Sequence, residues 1–462
     1  MPARERLLVI GADAAGMSAA SQARRLRGAG ELEILGIERG HHASYSACGI
    51  PYFVGGVVED LDKLIARTPE QFRDRDIDVR LRTEAVEIDL DGARVRVRDV
   101  DAGGERWESY DHLMVATGAA PVRPDLPGAD AEGVHGVQTL DDGVAIRRAL
   151  EERKPRRAVV VGGGYIGLEM AEAMVMQGLE VSLVDLAGQP MQTLDPDMGA
   201  IIADAMRGIG VELYLGEPVR GFDTSADGRV TAVRTDGRTL PADLVVLGLG
   251  VKPDTGLART AGIETGPTGG IVTDRRMRTR AERVWAAGDC AEARHLVSGG
   301  PAAIPLGTHA NKQGRVAGIN LGGGYATFPG VAGTAVAKIC QVEVARTGLN
   351  ESEAAAAGFA SLSVLVESTT RAGYHPGATK MKTKLVVERR SGRLLGAQIV
   401  GEENAAKRVD GLAIALWNGM TAEEMTGLDL GYAPPFAPTW DPILIAARKA
   451  AEAVEEDMRA RP

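Results

Sequence analysis

The chain is poor in cysteine: Cys48, Cys290 and Cys340 are the only three among 462 residues. Thiols so few and so far apart do not build the disulfide framework of a stapled secreted domain. A pair with C-x4-C spacing is excluded as well, because the positions five before and five after Cys48 hold Ala43 and Phe53. Redox chemistry at Cys48 must therefore run through one sulfur, as a mixed disulfide, a persulfide or a sulfenic acid. Long apolar runs are also missing, and none approaches the ~20 residues that span a bilayer. Nor is there a basic excess: the net charge of −10 disfavours a nucleic-acid partner, so an anionic substrate would need local basic residues. No Cys/His spacing suggests a metal site. The opening Met1-Pro2-Ala3-Arg4-Glu5-Arg6 runs straight into a predicted strand and leaves no room for a signal peptide, which points to the cytoplasm.

Glycine is abundant, with 59 residues gathered in turns rather than in low-complexity tracts. A chain of this length splits into about two to four domains. Its strongest organisational signal is one unit occurring twice. Residues 6–11 form an apolar strand ending at Gly11, followed by Ala12-Asp13-Ala14-Ala15-Gly16, an Ala-rich helix and a strand from Leu32 closed by Glu38. Residues 157–161 form a second such strand, followed by Gly162-Gly163-Gly164-Tyr165-Ile166-Gly167, a helix and a strand closed by Asp185. Strand, glycine turn, helix and strand with a terminal acid is the pattern of a dinucleotide-binding unit.

In the second unit Gly162, Gly164 and Gly167 fill all three glycine positions. The first permits the tight turn, the second lets backbone N–H groups reach a pyrophosphate, and the third lets helix and strand pack closely. Asp185 stands where an acid accepts from a ribose 2′-hydroxyl. The following Leu186-Ala187-Gly188-Gln189-Pro190 offers no cation for a 2′-phosphate, which favours NADH over NADPH. In the first unit Asp13 replaces the central glycine, and its carboxylate must turn away from any pyrophosphate. Glu38, Ala116-Thr117-Gly118 and Ala287-Gly288-Asp289 stand at predicted strand ends, where open α/β sheets bind ligands. Beyond about residue 326 the predicted strands at 331–344, 361–367 and 384–400, then helices at 405–419 and 421–427, form a separate α+β domain.

With these residues in place, the whole chain resembles the pyridine nucleotide–disulfide oxidoreductases. The resemblance implies an α/β fold of two Rossmann-like units, for FAD and NAD, the second inserted in the first, plus a C-terminal α+β dimerisation domain. The implied boundaries are 1–118 and 252–325 for the FAD domain, 119–251 for the NAD(P)H domain and 326–462 for the last. It assigns FAD to Gly11, Ala15, Gly16, Glu38, Arg39, Thr117, Gly118, Asp289 and Ala310. It assigns NAD to Gly162, Gly164, Tyr165, Ile166, Gly167, Asp185 and Gly250, with Tyr165 covering the flavin face.

Ser44-x-x-x-Cys48-Gly49-x-Pro51-Tyr52 looks like the single-cysteine branch, which includes coenzyme A-disulfide reductases, NADH oxidases and peroxidases, and persulfide reductases. Ala14 stands where peroxidases carry an acid–base histidine. Tyr374 and Tyr432 match the tyrosines that reach a partner subunit's cysteine in coenzyme A-disulfide reductases, so an active site shared across a homodimer is implied. Gln22, Arg25, Lys407 and Arg408 are the implied substrate contacts. Ala47 and Asp76 depart from that group, at an asparagine and at a place where a cation can hold phosphates. No sulfur-transfer domain is expected after residue 462. Cys48 must ionise, with the flavin and the Ser44 hydroxyl as expected stabilisers. Cys290 and Cys340 are expected in cores; His295, His309, His41 and His42 receive no role. The implied activity is NADH-dependent, FAD-containing reduction of coenzyme A disulfide or a related small disulfide or persulfide. The alternatives are an NADH oxidase acting on O2 through a sulfenic acid, and a redox-sensing flavoprotein.

Overall fold

The run Leu7-Leu8-Val9-Ile10 is apolar on both faces and almost wholly buried, as a central strand covered on both sides must be. In this computed structural model, which describes residues 4–460, it lies in the strand Glu5–Ile10. Residues 1–3, part of the opening read as leaving no room for a signal peptide, lie outside the described residues. The strand is the centre of a five-stranded parallel sheet, in the order Val284–Ala286, His112–Val115, Glu5–Ile10, Leu32–Ile37, Asp78–Arg80. A second parallel sheet runs Glu212–Leu215, Glu180–Asp185, Arg157–Val161, Leu244–Leu247, Val134–Gly136. The whole second sheet falls between two neighbouring strands of the first, so the second unit is inserted in the first. The chain crosses out at Ala119–Pro121 and back at Val251–Pro253, and these two short strands pair antiparallel.

Helix Ala14–Leu26 carries Ala15, Ala19 and Ala23 on its buried side and packs on Gly307–Leu321. A Cβ on Gly314 would lie 2.2 Å from the Ala15 carbonyl oxygen, and one on Gly318 2.4 Å from that of Ala19. Only glycine permits that approach, and it fixes the first nucleotide helix between its sheet and the returning chain.

The last domain is an antiparallel sheet, in the order Ala335–Ile339, Val342–Gly348, Leu394–Gly401, Lys380–Glu388, Ser361–Thr369. Two expected strands are therefore hairpins. Residues 331–344 break at Cys340, which sits in the turn with φ 56 and donates its N–H to Glu172 Oε2 at 2.9 Å. Cysteine is not a turn signal, and apolar neighbours on both sides hide the break. Residues 384–400 turn at Ser391-Gly392. The expected helix 405–419 is a single 3-10 turn at Ala406–Arg408 followed by Val409–Trp417. The 19-residue helix Pro442–Ala460, absent from the sequence reading, buries Ile443, Ala446, Ala447, Ala450 and Val454 at helical spacing.

Candidate active site

Both nucleotide turns are shaped by backbone crowding. A Cβ on Gly16 would fall 2.0 Å from the Gly11 carbonyl oxygen, and one on Gly167 1.9 Å from that of Gly162. Each helix thus begins directly above its strand end. On Gly164 a Cβ would meet nothing nearer than the Gly248 oxygen at 4.0 Å, so that side is open for a pyrophosphate. Glu38 accepts from the Ala12 N–H at 3.0 Å and the Gly40 N–H at 2.9 Å. Asp185 accepts from Gly163 at 2.5 Å and Ala187 at 2.8 Å. Backbone donors therefore hold each acid at its strand end, with lone pairs left for a ribose.

Asp289 follows the strand Val284–Ala286 and makes no hydrogen bond or ion pair among the described residues. Burial lifts its pKa to about 6. A largely buried carboxyl without a partner calls for a polar ligand, and the ribityl hydroxyls of FAD fit that donor set. Ala15 and Ala310 flank the neighbouring Gly288. Thr117 gives its hydroxyl to the Asp254 carbonyl at 2.6 Å, and Arg39 pairs with the Asp254 carboxylate at 3.4 Å. Those two side chains serve the crossover, while the backbone of Thr117 and Gly118 lies at the end of strand His112–Val115. Tyr165 and Ile166 open the second unit's helix; the Tyr165 hydroxyl is buried beside that of Thr193. Gly250 turns with φ +83 where the chain leaves the second sheet.

Cys48 lies in the 3-10 turn Ala47–Gly49, just before the short helix Ile50–Val54, and is exposed. Its segment is fastened on two sides. Ser44 N–H donates to the Ala12 carbonyl at 2.9 Å and Tyr45 N–H to Asp13 Oδ1 at 3.1 Å, while Ser46 N–H donates to the Leu64 carbonyl at 2.8 Å. Cys290 and Cys340 are buried; the Cys290 thiol faces the carbonyls of Ala287 and Val115.

Among the described residues the Cys48 thiolate is favoured by its own backbone N–H, and no hydrogen bond reaches it from the Ser44 hydroxyl. Although the residue is exposed, the protein packed around the turn partly desolvates its thiol, and this, then the charge of Glu169, pushes the thiol pKa up. Ser44 works through its backbone, with φ 49 and a carbonyl that accepts from Ala66 and Arg67 N–H; its hydroxyl makes no hydrogen bond among the described residues. Glu169 is the residue the sequence reading missed. It stands four after Tyr165 on helix Tyr165–Met176, which packs on the helix behind Cys48. Burial and the neighbouring Glu172 lift its pKa to about 7. The i,i+4 spacing from Tyr165, a shared helix face, was the available signal.

Tyr374 and Tyr432 come together on two loops of the last domain, 77% and 49% exposed. The Ala372 N–H donates to the Pro434 carbonyl at 3.1 Å, and the Tyr432 hydroxyl raises the Tyr374 pKa. Arg408, expected at the substrate, is instead enclosed behind these loops. It donates to the Thr370 carbonyl at 2.8 Å, the Phe436 carbonyl at 2.6 Å, Asp441 at 3.2 Å and the Asn404 carbonyl. Four of its five guanidinium N–H groups are thus engaged within the chain, which ties these loops together. Lys407 points out and pairs with Asp410 at 2.6 Å.

Gln22 and Arg25 share the outer face of helix Ala14–Leu26, with Arg25 Nη1 3.4 Å from Gln22 Oε1. Arg67 stands nearby, its guanidinium 5.0 Å from the Phe72 ring centre. Burial, then the like charges of Arg75 and Arg25, lowers its pKa. None of the three arginines has an acidic partner among the described residues, in a chain of net charge −10. The departure at Asp76 thus has a counterpart: Asp76 faces Arg24, which donates to its carbonyl at 2.9 Å, while Arg67 and Arg75 supply cations beside it.

Residues 5–314 match the family model "Pyridine nucleotide-disulphide oxidoreductase", and residues 334–442 match its dimerisation domain. The chain is 40% identical over 448 residues to an NAD(P)H sulfur oxidoreductase (CoA-dependent) of Pyrococcus abyssi, covering 96% of this chain and 98% of that one. It is 36% identical to an NADH oxidase of Methanocaldococcus jannaschii, covering 96% and 98%. Among solved structures, an NAD-dependent persulfide reductase from A. fulgidus superposes with a TM-score of 0.94 at 38% identity, covering 98% of this chain and 84% of that one.

Proposed function

The chain belongs to the pyridine nucleotide-disulphide oxidoreductases, and from that premise we propose that it reduces coenzyme A disulfide, or a related small disulfide or persulfide, through Cys48 alone. It is a flavin-dependent NAD(P)H oxidoreductase. The observation that carries the proposal is the pairing of one exposed, unpartnered thiol with an unneutralised arginine group on the adjoining segment. The backbone N–H of Arg67 donates to the Ser44 carbonyl at 3.3 Å, which ties the Arg67 backbone to the segment four residues before Cys48. Cations without acids suit a substrate that carries phosphates, as coenzyme A does.

In the proposed cycle the Cys48 thiolate attacks one sulfur of the disulfide. The S–S bond breaks, a mixed disulfide forms on Cys48, and the departing thiolate takes a proton from Tyr374 or Tyr432 of the partner subunit. When bound, NADH and FAD supply the two electrons that cleave the mixed disulfide and return Cys48 to thiolate. One disulfide, NADH and a proton become two thiols and NAD+. The shared site assumes a homodimer, which the exposed Ile414, Trp417, Phe436 and Trp440 of the last domain support. Asp185 and the cation-free loop after it support NADH as the preferred donor. The sheet connectivity supports domain limits near 118, 251 and 325. Three free cysteines suit a reducing compartment, so we place the protein in the cytoplasm.

Steady-state NADH oxidation with coenzyme A disulfide, coenzyme A persulfide, glutathione persulfide and O2 side by side tests this reading. Cys48→Ser should abolish the sulfur activities and leave bound FAD reducible by NADH. Full disulfide reduction by the serine variant would sink the proposal. The likeness to an NADH oxidase favours O2 as the second reading, which stands if O2 alone sustains turnover.

A further inference from the structure

Asp13 occupies the place in the first glycine turn that Gly164 holds in the second. It is the N-cap of helix Ala14–Leu26, with extended backbone at φ −114 and ψ −151, yet its side chain does not cap the second or third helical N–H and meets only that of Ala14, the first. An N-cap aspartate ordinarily accepts from the second or third helical N–H. Here Oδ1 instead accepts the Tyr45 N–H at 3.1 Å, beside the Ser44 N–H that ends on the Ala12 carbonyl at 2.9 Å. Two successive N–H groups, three and four residues before Cys48, thus end on two successive residues of the nucleotide turn. With glycine at position 13 the Ala12 carbonyl would keep its tie, and the Tyr45 N–H would lose its acceptor.

We propose that Asp13 is a positioning residue, whose carboxylate ties the Cys48 segment to the turn that holds the FAD pyrophosphate, so that thiol and cofactor keep one register. The inference rests on the reading of Cys48 given above. Turning outward also leaves the second and third N–H groups of the helix, those of Ala15 and Gly16, without a side-chain cap and open to the pyrophosphate. The tie is charge-assisted, which strengthens it. Its setting is nevertheless unfavourable to a second negative charge: Glu38 and Asp289 face Asp13, and burial together with their charges lifts its pKa to about 6. Asp13 is therefore placed at some cost to anion binding, and two effects of its removal should run in opposite directions. Cofactor binding should hold or improve, while delivery of electrons to the thiol should suffer. A residue that merely shaped the turn would lose both together.

The test uses full-length Asp13→Gly and Asp13→Asn proteins loaded with FAD, under anaerobic conditions. The readouts are FAD dissociation by flavin fluorescence, the thiolate–flavin charge-transfer absorbance, and stopped-flow rates of flavin reduction by NADH and reoxidation by coenzyme A disulfide. Asp13→Gly should hold FAD at least as tightly as wild type and be reduced at the wild-type rate. It should lose the charge-transfer band and be reoxidised about tenfold more slowly, or worse. Asp13→Asn keeps an acceptor for the Tyr45 N–H and should restore both signals to within about threefold. An unchanged band and reoxidation rate in Asp13→Gly overturns the inference. So does loss of FAD from that variant, or an Asp13→Asn as impaired as Asp13→Gly. Cys48→Ser run alongside separates the two levels: if it keeps full reoxidation, the reading of Cys48 falls and this inference with it.

Discussion

After burial itself, the carboxylate of Glu169 weighs most heavily on the Cys48 thiol. The two residues come from different nucleotide units, and the packing of helix Tyr165–Met176 on the short helix after Cys48 brings them together. Glu169 is itself lifted to about 7 by burial and by Glu172. Near neutral pH it is about half protonated, and each proton it gives up makes a thiolate at Cys48 harder to form.

Glu169→Gln should therefore lower the pH at which Cys48 becomes reactive. Alkylation of Cys48 by iodoacetamide in the FAD-free protein measures this directly, and an unshifted profile would show the two groups to be independent. Stability carries the same signature with a definite sign. A carboxyl raised from 4.5 to about 7 contributes stability that is full below about pH 4.5 and lost as pH rises through about 7. Each pKa unit is worth about 1.4 kcal/mol. Thermal unfolding of the FAD-free variant should match wild type at pH 4.5 and exceed it at pH 8.

The proposed preference for NADH is tested at Asp185, already engaged by the N–H groups of Gly163 and Ala187, and at the exposed Leu186 beside it. Replacing Asp185 by Ala together with Leu186 by Arg removes the charge that repels a 2′-phosphate and supplies one that attracts it. The ratio of kcat/KM for NADPH over NADH should rise by about a hundredfold or more, a change of about 3 kcal/mol. A ratio left unchanged would place the discrimination elsewhere.

Much of this arrangement was legible in the sequence because its signals are local. Gly11, Gly16, Gly162 and Gly167 are required where two backbones nearly touch, and a contact so tight admits no other residue. The terminal acids Glu38 and Asp185 follow from strand length and turn geometry. What stayed hidden depends on contacts between distant segments. Arg408 sits in a run that reads as a ligand motif, yet three acceptors from distant loops, those of Thr370, Phe436 and Asp441, hold it. Cys340 reads as strand core and is a turn, because nothing in Ile339-Cys340-Gln341-Val342 marks a left-handed residue. Arg67 and Arg75 gain meaning only beside Arg25, more than forty residues earlier. The amphipathic pattern of Pro442–Ala460 is by contrast local, with Ile443, Ala446, Ala447, Ala450 and Val454 at helical spacing.

The arginine group predicts a split between substrates. Arg67→Ala and Arg75→Ala should each raise KM for coenzyme A disulfide by about three- to tenfold, the effect of one charge-assisted contact of about 1 kcal/mol. KM for NADH should not move. A disulfide without phosphates, such as pantethine, should be reduced by wild type and variants alike. The coenzyme A effect should also shrink as salt is raised, because exposed charges are screened. Equal losses with both disulfides would assign the arginines to folding.

Arg408 gives the sharpest test of how the tyrosine loops are held. Its guanidinium joins the carbonyl of Thr370, four residues before Tyr374, to that of Phe436, four after Tyr432, and anchors both to Asp441. A lysine keeps the charge and the pairing with Asp441, but one ammonium cannot replace a planar fork bonded in several directions. Arg408→Lys should lower stability by about 2–3 kcal/mol, as expected for partly buried bonds to a charged group. It should also slow reoxidation of the reduced enzyme by disulfide, while flavin reduction by NADH, which depends on neither loop, stays at the wild-type rate. Tyr432→Phe should slow the same step without the loss of stability. If Arg408→Lys unfolds at a lower temperature yet is reoxidised at full speed, the clasp holds the domain together and has no part in placing Tyr374 and Tyr432.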